Sequence, residues 1–236
     1  MSLLFFLRWE AADMRYSRNM GAITPKEQER LKNSRVLIVG CGGLGGNLLV
    51  YLARIGIGHI TVADPDVFEE SNLNRQMFAT ELTLGQKKVR AAAEAVRSIN
   101  PEVEITCYEE AFTVEKGMEW GKNQDLLIDA VDNIAARRDM ARVCEALEIP
   151  MIYGAVRGWN LQVSVFPPQK AVQKLQILYP KDTLPEDKSS LSFVVSACAS
   201  IQSAEAVKRL LDKESELDGQ LLFGDLLNGE WETLPL

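Results

Sequence analysis

Residues 36–45 read Val36-Leu37-Ile38-Val39-Gly40-Cys41-Gly42-Gly43-Leu44-Gly45, an apolar run followed directly by a glycine-rich turn. Leucines at helical spacing come next, and a second apolar run, Ile60–Ala63, ends at Asp64. This order of strand, glycine turn, helix, strand and acid is typical of the βαβ unit that binds nucleotides. We therefore predict a nucleotide site where the first strand ends.

Each residue of this unit has its own physical task. Gly40 permits the tight turn, Gly42 lets the backbone approach a phosphate, and Gly45 lets the helix pack closely on the strand. The helix begins near Gly43, so its unpaired N–H groups and positive dipole end point at that phosphate. Asp64 is placed to accept hydrogen bonds from ribose hydroxyls. These residues predict a bound nucleotide and leave its identity open.

Strands and helices are predicted to alternate up to residue 155. The predicted helices are 26–32, 43–55, 85–99 and 133–147, with a further one between the third and fourth strands, and the predicted strands are 36–39, 60–63, 103–108, 126–130 and 151–155. Such alternation favours an α/β fold, Rossmann-like and doubly wound, whose mostly parallel sheet has helices on both faces.

The final third follows a different pattern. Residues 161–166 alternate as a half-exposed strand does, and residues 167–190 form a polar, proline-marked crossover segment with weak periodicity. A helix rich in small residues is predicted over 192–211, and a hairpin of antiparallel strands over 220–223 and 230–234. We expect one nucleotide-binding domain over 35–236, preceded by an N-terminal segment and helix over 1–34. Because a second methionine stands at Met14, residues 1–13 are expected to be extra or disordered.

Composition narrows the classes of function. The 236 residues carry a formal net charge of −7, and the four cysteines include no Cys-x-x-Cys pair. An acidic chain gives no support to a nucleic-acid partner, because such binding gains affinity from a basic surface. Widely spaced cysteines indicate neither a disulfide framework nor a thiolate metal cage, which favours a reducing cytoplasm. The apolar start over 1–9 is too short to span a bilayer, so we expect no membrane role.

Charged residues outside the turn point to chemistry on a triphosphate. They are Arg75 in Ser71-Asn72-Leu73-Asn74-Arg75-Gln76, Lys88, Asp132 and, before the turn, Arg18. An NAD enzyme has no need for these groups, whereas an enzyme that attacks ATP uses them for positioning and charge neutralisation. Each also has a plainer interpretation, as a solvated charge or, for Asp132, as an acid that favours a helix N-terminus. Asp66 is either a loop acid or a second polar contact to the nucleotide.

Together these motifs resemble the ThiF/MoeB/HesA family, the bacterial relatives of ubiquitin-activating enzymes, from Arg15 to near Leu211. The Ser-Asn-Leu-x-Arg-Gln block is highly specific for that family. The resemblance implies a homodimer that uses ATP and Mg²⁺ to adenylate the C-terminal glycine of a ubiquitin-like sulfur carrier ending in Gly-Gly. The carrier would serve thiamine, molybdenum or tungsten cofactor, or related sulfur transfer.

The resemblance also implies roles for individual residues. These are Asp64 for the ribose, Asn72, Arg75 and Lys88 for the ATP phosphates, Asp132 for Mg²⁺, and Arg18 as an arginine lent to the site of the partner subunit. Many family members hold zinc with two Cys-x-x-Cys pairs, and some use a crossover cysteine to take the carrier covalently. This chain has neither feature, so we expect no zinc and chemistry that stops at the adenylate.

Three alternatives remain at this point. The chain is a relative that activates a carboxylate on modified tRNA, a catalytically silent nucleotide-binding scaffold, or an NAD-linked oxidoreductase. The acidic charge weighs against tRNA, and the lone histidine, His59, leaves few donors for hydride chemistry. No short motif identifies the carrier, its pathway or the sulfur donor. None shows whether Arg18 acts across a dimer.

Overall fold

A computed structural model describes residues 14–181, 187 and 189–236. The strands of this part are β1 (Arg35–Val39), β2 (His59–Ala63), β3 (Glu104–Tyr108), β4 (Leu126–Asp129), β5 (Met151–Arg157), β6 (Asn160–Phe166), β7 (Gln220–Asp225) and β8 (Glu230–Pro235). The α-helices are α1 (Pro25–Asn33), α2 (Gly43–Ile55), α3 (Lys88–Ile99), α4 (Val114–Trp120), α5 (Ile134–Leu147), α6 (Ala171–Leu178) and α7 (Ser192–Leu210). Through β5 the bounds agree with the predicted ones to within about three residues. Residues 1–13, predicted to be extra or disordered, lie outside the described residues.

All eight strands form one sheet in the order β3-β2-β1-β4-β5-β6-β7-β8. The five strands from β3 to β5 pair in parallel, and β5 to β8 pair antiparallel. The predicted α/β class, a doubly wound and mostly parallel sheet with C-terminal antiparallel strands, is confirmed. β1 has β2 on one side and β4 on the other, so the strand order reverses there and opens a crevice at the carboxyl ends of these strands.

Helices cover both faces of the sheet because the central strands are apolar on both sides. In β1, Val36 and Ile38 pack with α2, α3 and α7, while Leu37 and Val39 pack against α5. The alternation follows from the two-residue period of a strand. Within the described residues, no helix is both long and apolar enough to cross a bilayer.

The prediction of a half-exposed strand at 161–166 is wrong. Leu161, Val163 and Val165 pack into the core on the α7 side, and Phe166 is equally buried on the other face with Leu175 of α6. The prediction failed because α6 was not expected. Weak periodicity suggested irregular chain over 167–190, but residues 168–178 form a short 3-10 helix followed by α6. Residues 182–186 and 188 of this crossover segment lie outside the described part.

Candidate active site

The glycine turn joins β1 to α2 at the crevice. Gly40 has a φ of +100°, and a Cβ there would stand 2.4 Å from the carbonyl oxygen of Ala130, just beyond β4. A Cβ on Gly45 would stand 2.0 Å from the carbonyl oxygen of Gly40. Any side chain at either position would therefore force the turn open. Gly42 is the N-cap of α2 and supplies no side-chain cap, so the first amides of the helix face the crevice.

Asp64 is buried at the end of β2 and holds the turn in place. One carboxylate oxygen accepts from the N–H of Cys41 at 2.6 Å, and the other accepts from the N–H of Asp66 at 2.8 Å. An ionised carboxylate has about four lone-pair sites. Asp64 thus organises two loops and keeps lone pairs free for ribose hydroxyls, and its contact with the ribose stays a prediction.

Lys88, the first residue of α3, points to the same edge. Its side chain is 8% exposed, and its Nζ lies 3.0 Å from Oδ2 of Asp66. The backbone of the two residues is also joined, since the N–H of Lys88 donates to the carbonyl of Asp66 at 3.1 Å. Asp66 therefore forms an ion pair with Lys88. This role differs from both sequence interpretations, a loop acid and a second polar contact to the nucleotide. A buried ammonium with one carboxylate partner keeps donors for a second anion.

The Ser71–Gln76 block lies over the start of α2. Arg75 donates from Nη1 to the carbonyl of Ser71 at 2.9 Å and to Oδ1 of Asn74 at 2.8 Å, and its Cγ is 3.8 Å from the Cβ position of Gly43. The stem of the Arg75 side chain thus packs beside the helix N-terminus. Asn72 is buried and uses Oδ1 to accept from the N–H of Glu69 at 3.1 Å. The Asn72 amide therefore stabilises the Ser71–Gln76 block. This structural role was not predicted, and the predicted contact with an ATP phosphate stays a prediction.

Asp132 follows β4 in the loop that touches the glycine turn. It is exposed, and Asn133 after it caps α5 by accepting from the N–H of Ala136 at 2.9 Å. The helix cap is therefore supplied by Asn133 and not by Asp132. The carboxylate of Asp132 is exposed to solvent. One exposed carboxylate suits Mg²⁺, which binds through one or two carboxylates plus substrate phosphates. Among the described residues, no group of three or more His, Cys, Asp and Glu side chains could hold a metal without such a substrate.

Arg18 is not brought to the glycine turn of its own chain. The segment that carries it is tied to the other end of α2: Tyr16 accepts from Nδ2 of Asn100 at 2.7 Å and packs on Gly56, and Arg15 donates to the carbonyl of Ile99. A helix of the length of α2 spans about 20 Å. Arg18 therefore lies on a segment held away from the glycine turn of its own chain.

A buried ion pair beneath the Asp132 loop was not predicted. Nε of Arg137 donates to Oδ2 of Asp129 at 2.8 Å, and the other Asp129 oxygen accepts from the N–H of Val131. The same guanidinium donates to the carbonyls of Val131 and Gly154 and to the hydroxyl of Tyr179. Burial raises the pKa of Asp129, and the Arg137 charge opposes that shift. The pair fixes the peptide that precedes Asp132.

None of the four cysteines is activated. Burial raises the pKa of Cys198 to about 12, and burial, with the Asp64 charge, raises the pKa of Cys41 well above its ordinary value. Burial also raises the pKa values of Cys107 and Cys144. A thiol needs a lowered pKa to act as a nucleophile near neutral pH. These four thiols are packing groups.

A model of one protein family matches residues 16–236, which is nearly the whole described chain. The chain belongs to the ThiF family. The Ser-Asn-Leu-x-Arg-Gln block that suggested the resemblance lies inside the matched range, and so do the glycine turn and Asp132.

Two ThiF-type relatives are similar along most of their length. The chain is 35% identical to the SAMP-activating enzyme E1 of Haloferax volcanii, covering 94% of this chain and 84% of that protein. It is 31% identical to the sulfur carrier protein ThiS adenylyltransferase of Escherichia coli, covering 94% and 91%. Other relatives are longer: the chain spans 52% of a Culex quinquefasciatus protein named adenylyltransferase and sulfurtransferase.

Solved structures agree on the fold. The crystal structure of Escherichia coli MccB with MccA-N7isoASN superposes with a TM-score of 0.81 at 20% sequence identity, over 95% of this chain and 72% of that chain. The likeness covers the parallel and antiparallel parts of the sheet and carries no information on the substrate at this identity.

Proposed function

We propose that this ThiF-family chain is an adenylyltransferase, which uses ATP and Mg²⁺ to adenylate the C-terminal glycine carboxylate of a ubiquitin-like sulfur carrier. Three observations support the proposal: Arg75 packs at Gly43 of the turn, Lys88 pairs with Asp66 beside Asp64, and Asp132 is exposed in the loop whose Ala130 touches Gly40. Relatives that are 31–35% identical over most of both chains bear names of this activity class.

The chemistry that these groups suit is the meeting of two anions. A C-terminal carboxylate has a pKa of roughly 3.3–3.7, so at neutral pH it needs no general base. Its approach to the α-phosphate is opposed by charge repulsion. Arg75 and Lys88 would neutralise phosphate charge, the α2 amides would bind phosphate oxygens, and Asp64 would orient the ribose. Magnesium held by Asp132 would neutralise further charge on the phosphates.

The products follow from the bond that forms and the bond that breaks at the α-phosphorus. The carboxylate oxygen forms a bond to the α-phosphorus, the bond to the bridging oxygen breaks, and pyrophosphate leaves with the electron pair. The acyl-adenylate remains for a sulfur donor. No cysteine of this chain is placed or activated to take the acyl group, so we propose that its own reaction ends at this adenylate.

A homodimer is part of the proposal because Arg18 lies at the far end of α2 from its own turn. In the proposed two-fold dimer each Arg18 would supply a third cation to the triphosphate of the other site. We propose that residues 35–236 act as one nucleotide-binding domain, preceded by an N-terminal segment and helix over 1–34, and that Arg18 of this segment serves the neighbouring subunit. Four free thiols suit a reducing cytoplasm.

The test is ATP–pyrophosphate exchange against a panel of small proteins ending in Gly-Gly. Exchange should depend on one carrier, on Mg²⁺ and on Lys88. Lys88→Ala should abolish it, whereas Arg90→Ala, which removes an exposed cation two residues further along α3, should retain it. Exchange that is driven by modified tRNA and by no carrier would favour the tRNA alternative. Absence of exchange with every substrate would favour a silent scaffold.

A further inference from the structure

Tyr179 directly follows α6, and its hydroxyl joins the buried network around Arg137. The hydroxyl oxygen lies 2.8 Å from Nη1 of Arg137 and 2.7 Å from the hydroxyl oxygen of Tyr153. The hydroxyl of Tyr153 lies 3.1 Å from Oε1 of Gln162. Two phenols thus stand in line between a cation and an amide oxygen.

The direction of each hydrogen bond in this line follows from the donors available. A guanidinium only donates, an amide oxygen only accepts, and each phenol has a single O–H. Tyr153 donates to Gln162, so the bond between the two phenols is donated by Tyr179. The oxygen of Tyr179 then accepts from Arg137. The Tyr179 hydroxyl is therefore oriented by its neighbours as an acceptor for the guanidinium.

The guanidinium of Arg137 lies beside the rings of both tyrosines. Its Cζ is 5.3 Å from the ring centroid of Tyr153 and 5.5 Å from that of Tyr179, within the range of cation–π attraction. Because the guanidinium is a rigid planar fork, a bond at Nη1 also fixes the direction of Nη2, which donates to the carbonyl of Val131 at 2.8 Å. The Tyr179 hydroxyl therefore helps to orient the peptide that precedes Asp132.

Asp132 is exposed, so its direction depends chiefly on the backbone before it. Mg²⁺ demands near-octahedral geometry from the few carboxylates that hold it together with substrate phosphates. Groups that orient such carboxylates change metal affinity although they never touch the metal. Arg137 is such a group for the loop of Asp132, and Tyr179 stands one step behind it.

We propose that Tyr179 is a positioning residue for the loop of Asp132, and that its hydroxyl acts through Arg137 on the peptide between Val131 and Asp132. The effect on magnesium rests on the proposed function, but not on the identity of the carrier. The ring and the hydroxyl of Tyr179 have separate tasks. The ring packs against the guanidinium, and the hydroxyl orients it.

The experiment removes one hydroxyl at a time from the full chain. Tyr179→Phe keeps the ring and removes the acceptor for Arg137. Without any ligand, the amides of residues 130–133 should exchange with deuterium about three- to ten-fold faster, the size of one hydrogen bond. By isothermal titration calorimetry, the Kd for ATP with Mg²⁺ should rise by about three- to ten-fold, less than for a group that bonds a metal ligand directly. The Kd for ATP with EDTA should be unchanged, since it does not use Asp132.

Tyr153→Phe is the matched control. It removes the other hydroxyl of the same line, which bonds Tyr179 and Gln162 but not Arg137. Tyr153 is fully buried, so its variant should lower the melting temperature at least as much as Tyr179→Phe does. It should leave the deuterium exchange of residues 130–133 and the Kd for ATP with Mg²⁺ unchanged, because Arg137 keeps its acceptor.

The outcomes are distinct. Unchanged deuterium exchange in Tyr179→Phe overturns the proposal, and so do equal changes in both variants, which would mark a general loosening of the fold. Faster exchange with an unchanged Kd for ATP and Mg²⁺ overturns the link to magnesium. A wild-type chain that binds no ATP overturns the proposed function and that link together, while the ligand-free exchange still decides whether Tyr179 positions the loop. A wild-type chain that binds ATP but supports no pyrophosphate exchange defeats the carrier proposal alone.

Discussion

Replacing Arg137 by methionine should be among the most damaging single changes in this chain. The side chains of Arg137 and Asp129 are 5% and 0% exposed. Removing the guanidinium leaves a buried carboxylate with one N–H partner and takes donors from two backbone carbonyls. Breaking a buried pair in this way costs about 3–5 kcal/mol. In a chain of this size that corresponds to a melting temperature lower by about 6–20 °C.

The chain offers a matched control on the same helix. Arg142 of α5 pairs with Asp139 at 3.2 Å, but its side chain is 61% exposed. Arg142→Met should cost about 0–1 kcal/mol, as surface pairs do. Urea unfolding followed by circular dichroism gives both values. The double variant Asp129→Asn/Arg137→Met should recover at least half of the loss, because the uncompensated charge has gone.

If Arg137→Met and Arg142→Met lose unfolding free energies that differ by less than about 1 kcal/mol, then burial does not strengthen the Arg137–Asp129 pair, contrary to this prediction. Adenylation should suffer even where the variant stays folded, because the carbonyl of Val131 that Arg137 holds directly precedes Asp132.

Further predictions concern the site, the thiols and the N-terminal helix. Arg75→Ala and Asp132→Ala should each abolish pyrophosphate exchange and leave the circular dichroism spectrum unchanged; full activity in both would contradict the site. Because burial raises the pKa of Cys198 to about 12, native protein at about pH 8 should resist alkylation there by iodoacetamide, as read by peptide mass spectrometry; rapid labelling would contradict this. The hydrogen bond from Lys213, and then the cap contacts of Thr24, lower the pKa of Glu27 from 4.5 to about 2. A lowered pKa contributes stability that is present above pH 4.5 and is lost as the pH falls through about 2, so Glu27→Gln should flatten thermal stability against pH across that window; an unaltered slope would contradict it.

The glycine turn could be predicted because its requirements are local. Gly40 has a positive φ that favours glycine, and a Cβ on Gly45 would clash with the carbonyl oxygen of Gly40 in the same turn, so both requirements leave a recognisable glycine pattern. The position of Asp64 at the edge of the sheet could be predicted from the same pattern, because an acid ends the second strand of such units. The parallel sheet followed from the alternation of apolar runs with helical spacing.

The buried network could not be predicted in the same way. In the sequence, Arg137 resembles the solvent-exposed arginines of its helix. Its partner Tyr179 lies 42 residues away, at the end of α6, whose sequence has weak periodicity. The burial of β6 was missed for the same reason, since Phe166 on its second face packs in one cluster with Leu175 of α6. Pairing between Lys88 and Asp66 depends on a loop path that residue types do not encode.

In the proposed reaction, cations around the glycine turn bring a carrier carboxylate to the α-phosphate of ATP. Intact-mass measurement of the carrier after incubation with enzyme, ATP and Mg²⁺ tests it most directly. The wild-type chain should form a carrier heavier by one adenylyl group, and Lys88→Ala should form none. A carrier of unchanged mass, with ATP bound and pyrophosphate never released, would contradict it.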